Sequence, residues 1–182
     1  MVKIENVVGS GSLGVEFDLE SVSADLGSIA EYDPDKYPGM YLRFDEDAPL
    51  ITVYRTGKYI ITGEDSKDEA YSTRKKFLHH LAENGMISTP ADDRFQIQNI
   101  VCTADLERSL NLNALAIGLG LEKTEYEPEQ FPGLIYRSPD FDSVILLFAS
   151  GRVVITGSPD LDSAEQTFSI LSHEIADILN IN

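Results

Sequence analysis

An α+β fold built from two copies of one supersecondary unit is what this 182-residue sequence predicts, and three observations predict it. The first is an internal repeat: Glu31-Tyr32-Asp33-Pro34-Asp35-Lys36-Tyr37-Pro38-Gly39 returns as Glu125-Tyr126-Glu127-Pro128-Glu129-Gln130-Phe131-Pro132-Gly133. The same spacing holds through Arg43/Arg137, Gly57/Gly151, Ile61/Ile155, Thr62/Thr156, Gly63/Gly157 and His79/His173. Upstream, Asn6-Val7-Val8 matches Asn99-Ile100-Val101 one residue closer, so the second copy carries an extra residue after Gly120. The second observation is that each copy reads as strand, helix, several short strands and a closing helix. The third is a run of strands that are apolar at both parities. A chain made of two such copies has a pseudo-twofold axis, and its working surface should have one as well.

Each copy opens with a β-rich strand, Ile4 to Val8 or Ile97 to Val101. A helix is expected next, from the N-caps Asp18 and Asn111 to the terminating glycines Gly27 and Gly120. Short strands follow around Met40 to Phe44, Leu50 to Tyr54 and Lys58 to Thr62, matched by Leu134 to Arg137, Val144 to Phe148 and Arg152 to Thr156. Thr56-Gly57 and Ser150-Gly151 mark tight hairpins. A longer helix closes each copy. Ser66 with Glu69 three residues on reads as a capping box, and Ala164, Phe168, Leu171, Ile175 and Ile178 recur at helical spacing as one apolar face for a sheet. The copies divide as residues 1–90 and 91–182, with Ser88 to Asp93 a short polar joint inside one compact domain.

Charge is the unusual feature: 14 basic against 31 acidic residues leave −17. On electrostatics alone this argues against nucleic acid, because phosphate neutralisation by Lys and Arg supplies most non-specific affinity. The acids fall mainly in turns and helices, Asp65 to Glu69 and Asp160 to Glu165, as on a solvated surface. A very salty cytoplasm favours such a surface, because it screens Coulomb interactions to within a few ångströms. The single cysteine, Cys102, excludes an internal disulfide and fits a reducing compartment. Neither a signal peptide nor a stretch of transmembrane length is legible, so a soluble, cytoplasmic protein without a membrane partner is expected.

The strands carry the functional hint. Val144-Ile145-Leu146-Leu147-Phe148 and Val153-Val154-Ile155 are apolar at both parities, whereas an antiparallel sheet with one wet face should alternate. Helices cover one face only. The other needs a second layer from the same chain, for which few helices remain, or a partner.

Glu127-Pro128-Glu129-Gln130-Phe131-Pro132-Gly133-Leu134-Ile135-Tyr136-Arg137 and Leu147-Phe148-Ala149-Ser150-Gly151-Arg152-Val153-Val154-Ile155-Thr156-Gly157, with Gln98-Asn99-Ile100-Val101 opening the repeat, closely resemble the TATA-box-binding protein family. The resemblance covers essentially the whole chain, and the acidity resembles a haloarchaeal member. It implies a two-repeat saddle: a curved ten-stranded antiparallel sheet with four helices on the convex face, the open face lying in the DNA minor groove. It implies a general transcription initiation factor, not an enzyme, that binds and bends A·T-rich promoter DNA. Transcription factor B and, through it, RNA polymerase would be its protein partners, with no cofactor and no metal.

At the family's concave positions stand Asn6, Asn99, Thr62 and Thr156 as central donors, flanked by Val8, Val101, Ile60 and Val154. Apolar contact plus a few donors suits a groove that shows only acceptors at A·T pairs. Lys58, Arg152, Arg43 and Arg137 match the family's phosphate contacts, and Pro38, Pro132, Thr56 and Ser150 belong to the same expected interface. None of these positions is acidic. The family's aromatic wedges, which kink the duplex by about 80° in the family itself, correspond to Phe131 and Phe148 in the second copy and Tyr37 and Tyr54 in the first. Thr52 stands where the second copy has Leu146. A hydroxyl pushed between bases without a partner costs about 1–3 kcal/mol, so the first copy is expected to kink less or to prefer different base steps. Glu127 and Glu129 match the segment that contacts transcription factor B; on charge alone they are ordinary turn acids.

Gly9-Ser10-Gly11-Ser12-Leu13-Gly14 spells a dinucleotide-binding pattern after a strand, but the helix cap waits until Asp18 and the second copy has no glycine there. His79, His80 and His173 lack a carboxylate or cysteine cluster at metal spacing, and Cys102 lies on a strand with no basic activator nearby in sequence. The competing functional reading is a divergent paralogue that holds factor B as an adaptor or decoy without stable DNA binding, which Tyr37, Thr52 and Tyr54 keep open. If the acidic surface takes up cations as phosphates approach, affinity for DNA should rise or stay flat with salt. Without DNA, pairing of two copies through the apolar face is a further expectation left open.

Overall fold

The computed structural model describes residues 1–88 and 94–179; the expected joint at Ser88 to Asp93 and the division between residues 90 and 91 fall almost entirely outside them. The first copy contains β1 (Lys3–Ser12), α1 (Leu19–Leu26), β2 (Ala30–Glu31), β3 (Met40–Leu42), β4 (Leu50–Val53), β5 (Lys58–Glu64) and α2 (Lys67–Glu83). The second contains β6 (Gln96–Asp105), α3 (Leu112–Leu119), β7 (Thr124–Glu125), β8 (Leu134–Tyr136), β9 (Val144–Leu147), β10 (Arg152–Ser158) and α4 (Leu161–Ile178). The strands run β2-β3-β4-β5-β1-β6-β10-β9-β8-β7 in one ten-stranded sheet. Two compact units are resolved: Asn6–Gln98, and Asn99–Asn182 together with Met1–Glu5. The opening residues of β1 thus belong with the second copy. Within each unit every strand pairing is antiparallel.

The helices begin where polar side chains can take up free backbone N–H groups. Asp18 accepts from the N–H groups of Glu20 and Ser21, Asn111 from Ala114 and Asp160 from Ser163, each cap contributing about 1 kcal/mol. Ser66 accepts from the Glu69 N–H at 3.2 Å, but its hydroxyl, not its backbone N–H, donates to the Glu69 carboxylate. The expected capping box is therefore closed through two side chains. The two-residue strands β2 and β7 escape periodicity because they are too short to show a period.

The buried face of the first unit is built from Val7, Ile61, Ile51, Met40 and Leu42 with Phe77 and Leu81 of α2; the second uses Ile100, Ile155, Ile145, Leu147 and Leu134 with Leu115, Leu171 and Ile175. On α4 the expected stripe is buried at Ala164, Leu171 and Ile175 and half-buried at Phe168 and Ile178, while Thr167 is an unforeseen buried polar member. Gly9 and Gly11 of the dinucleotide-like pattern lie inside β1, and Gly14 lies beyond its end. A Cβ on Gly9 would stand 2.2 Å from the Phe95 ring, and one on Gly11 would stand 2.5 Å from the Tyr59 hydroxyl. Those glycines make room for rings, which absorbs the motif into packing.

Candidate nucleic-acid interface

On each unit the strand face away from the helices stays partly open. In the first, Val8 lies opposite Thr62, Ser10 opposite Ile60, and Ile60 opposite Thr52. In the second, Val101 lies opposite Thr156, Thr103 opposite Val154, and Val154 opposite Leu146. Val8, Ile60, Val101, Val154 and Leu146 are half-exposed, so neither unit plugs its own face. Ser10 and Thr103 share this face and were missed; their alternation with Val8 and Val101 along the strand was the available signal.

Two amides are held identically. The Asn6 Oδ1 accepts from the Gly63 N–H at 2.8 Å and its Nδ2 donates to the Thr62 Oγ1 at 3.2 Å. The Asn99 Oδ1 accepts from the Gly157 N–H at 2.7 Å and its Nδ2 donates to the Thr156 Oγ1 at 3.2 Å. Register shifts between Val7 and Val8 and between Thr156 and Ser158 accompany both pairs. Such bulges commonly re-aim a side chain at a functional surface. Because Oδ1 faces a backbone donor, each Nδ2 keeps a second hydrogen for an external acceptor.

The ring pairs sit at the hairpins. The Tyr54 N–H donates to the Lys58 carbonyl and the Phe148 N–H to the Arg152 carbonyl, at 2.9 and 3.0 Å, which places both rings at equivalent points. Gly39 and Gly133 lie directly against them, and a Cβ there would approach Tyr37 and Thr52 at 2.9 Å or Phe131 at 2.7 Å. Phe131 and Phe148 meet edge to face, centroids 5.9 Å apart. Tyr37 and Tyr54 lie 6.2 Å apart with their hydroxyls hydrogen-bonded at 2.6 Å. That bond, with partial burial, pushes the Tyr54 hydroxyl up to about 12. Tyr41 stacks on Tyr37 at 5.2 Å and 12°.

Thr52 departs from expectation. It is only 6% exposed, whereas Leu146 is half-exposed. Tyr41 is its cross-strand neighbour and Ile135 is that of Leu146. A small Thr beside a stacked tyrosine cluster is covered, so it offers little surface to a ligand. Tyr41 was missed as a member of the face, although it aligns with Ile135 in the repeat.

The basic positions are unequal. Lys58 and Arg152 are exposed at the ends of β5 and β10. Arg43 donates to the Ala48 carbonyl at 2.7 Å, and Arg137 is ion-paired with Glu125. Two acids also border the face. Asp105 lies opposite Arg152 in the ladder. Glu5 accepts from the Thr103 hydroxyl at 2.9 Å and pairs with Lys3 at 3.4 Å. The Thr103 hydrogen bond first, then Lys3, holds the Glu5 carboxyl below its usual value.

Pro38, Pro132, Thr56, Ser150, Glu127 and Glu129 are exposed. His79 pairs with Glu83, His80 packs edge-on against Phe44 and His173 contacts the Ser169 carbonyl. Among the described residues no group of His, Cys, Asp and Glu could hold a metal. Cys102 is buried, and desolvation pushes its thiol up, away from thiolate chemistry.

Comparison with known proteins agrees with this geometry. The family described as "Transcription factor TFIID (or TATA-binding protein, TBP)" matches residues 1–84 and 94–178. TATA-box-binding protein C of Halobacterium salinarum is 50% identical over 179 residues, 98% of this chain and 99% of that one. TATA-box-binding protein 1 of Haloferax volcanii is 43% identical over 183 residues, 100% of this chain and 95% of its own. The solved Methanococcus jannaschii TBP superposes with a TM-score of 0.81 at 41% identity, covering 97% of this chain and 98% of that one.

Proposed function

This chain belongs to the TATA-box-binding protein family of transcription factors, and we propose that it acts in the cytoplasm as an initiation factor that binds A·T-rich promoter DNA through the minor groove and bends it. Residues 1–90 and 91–182 serve as the two repeats. The observation that carries the reading is the doubled Asn-Thr pair, Asn6 with Thr62 and Asn99 with Thr156, each set in a half-exposed apolar stripe. Each pair presents a free amide hydrogen where A·T pairs present only acceptors, while the apolar stripe displaces groove water. Tyr37, Tyr54, Phe131 and Phe148 are the wedges. Lys58 and Arg152 supply phosphate contacts; Arg43 and Arg137 add theirs through guanidinium N–H groups that their Ala48 and Glu125 partners leave unused.

Glu127 and Glu129, exposed on a turn of the second unit, are the contact for transcription factor B, which brings RNA polymerase. Without DNA, the apolar stripes are free to cover those of a second copy, and sedimentation at micromolar concentration reads that state. A second reading, an adaptor that holds factor B without stable DNA binding, draws on covered Thr52 and the internally engaged arginines.

A gel shift on a TATA-containing duplex at molar KCl, with and without factor B, together with end-to-end energy transfer on the duplex, separates the two. A bent complex without factor B supports the initiation factor. DNA retention only through factor B selects the adaptor. Affinity that rises or holds as KCl increases supports cation uptake by the acidic surface, and a steep fall refutes it.

A further inference from the structure

The tyrosine pair of the first repeat gives the two ends of the binding site different base chemistry. Tyr37 and Tyr54 are both half-buried, and their hydroxyls lie 2.6 Å apart. Whichever oxygen donates, the bond uses one of two hydroxyl protons and leaves one proton and several lone pairs for an outside group. Stacking of Tyr41 on Tyr37 at 5.2 Å fixes the pair beforehand. The pair is therefore a preorganised, neutral hydrogen-bonding edge. At the equivalent place Phe131 and Phe148 present only ring carbons, next to Ile135 instead of a third tyrosine.

The minor-groove edge of A·T carries acceptors only, and G·C adds the guanine amino donor. A phenylalanine edge wedged beside that donor strips its water and offers no acceptor, which is costly. A tyrosine pair offers acceptor lone pairs to guanine and its remaining proton to adenine or thymine. We propose that Tyr37 and Tyr54 accept the guanine amino group at the base step the first repeat opens, so that this end of the site admits a G·C pair that Phe131 and Phe148 refuse at the other. The proposal rests on the wedge-inserting reading of the preceding subsection.

The test measures affinity of the whole chain at molar KCl for an A·T-rich duplex with a G·C pair at neither, one or both end steps. Because the chain can seat either way round, a single substituted end can always be given to the first repeat. One G·C end should change affinity by less than about threefold, and two should lower it at least about tenfold. In Tyr37→Phe/Tyr54→Phe one G·C end alone should cost about tenfold, and inosine in place of guanine, which removes the amino group, should restore binding. Phe131→Tyr/Phe148→Tyr should admit G·C at both ends. A tenfold loss in the unmodified chain from one substituted end, or unchanged tolerance in Tyr37→Phe/Tyr54→Phe, overturns the proposal. Failure to bind the unsubstituted duplex instead overturns the promoter-binding reading, and this inference with it.

Discussion

The end of the first unit holds Tyr37 and Tyr54 joined through their hydroxyls over a covered Thr52, while the end of the second holds Phe131 and Phe148 edge to face beside an open Leu146. The backbone beneath them is the same: a glycine under the rings and a hairpin behind them. The chemistry of the ring pair can therefore change without disturbing the sheet, which separates what shapes the scaffold from the surface proposed to meet DNA. A second contrast lies under β1 and β6. Gly9 and Gly11 occupy the places of Cys102 and Ala104, and the rings of Phe95 and Tyr59 fill the space left open. Those two rings stack at 6.1 Å and 7°, with Phe77 and Tyr71 against them. The closing helices differ in charge as well: α2 carries Lys67, Arg74, Lys75 and Lys76, whereas α4 carries no Lys or Arg.

The wedge contrast is broken or sharpened by removing each pair in turn. Phe131→Ala/Phe148→Ala should lower DNA affinity roughly a hundredfold and abolish the bend at its end, while Tyr37→Ala/Tyr54→Ala should cost about tenfold. Equal losses in a titrated gel shift would show that the two ends contribute alike. Beneath the strands, Gly9→Cys imports the second copy's residue into a space held by Phe95 and should destabilise the fold by about 1–3 kcal/mol in thermal unfolding. Adding Phe95→Leu should recover part of that loss, and no recovery would mean that the ring is not what the glycine accommodates.

Where the units agree, variants should agree. Asn6→Ala and Asn99→Ala each leave a glycine N–H without its acceptor and a threonine hydroxyl without its amide donor, so each should lose about 1 kcal/mol of stability, and unequal losses in chemical denaturation would undo the equivalence. The smallest effect concerns Glu64, a buried carboxylate whose Oε1 has no hydrogen-bond partner among the described residues. Its place in the second copy is taken by Ser158, which is hydrogen-bonded to Ser143 at 2.8 Å. Burial raises the Glu64 carboxyl above its usual value, aided by Glu69 and Asp65 and opposed by a hydrogen bond from Thr73. The folded state then holds this proton more tightly than the unfolded chain, so the contribution of Glu64 to stability falls as pH rises from the ordinary carboxylate value through the raised one. Glu64→Gln should stabilise the protein modestly at neutral pH and leave it unchanged at acid pH; a pH-independent difference in thermal midpoint would contradict this.

Much of the scaffold was legible because its signals are local. The caps Asp18, Asn111 and Ser66 act within one helical turn, and the hairpin glycines act across two residues. The doubled register marked equivalent positions, so Phe131 and Phe148 pointed to Tyr37 and Tyr54. Coverage of Thr52 was not legible, because it depends on Tyr41 lying opposite it and on the stacking of Tyr41 with Tyr37. The engagement of Arg43 by the Ala48 carbonyl and of Arg137 by Glu125 was hidden for the same reason.

By itself the sequence determined the two-copy plan, the order of the longer strands and helices, and the residue types at most positions of the open face, since periodicity, capping and repetition are properties of the chain in one dimension. Only the tertiary structure decided which polar atoms already have a partner: that Glu5 meets Thr103, that the two tyrosine hydroxyls share one hydrogen bond, and that Phe95 fills the place of a missing side chain. Hydrogen bonds and van der Waals contacts act over a few ångströms. The partners they join lie up to 98 residues apart, and only folding brings them together.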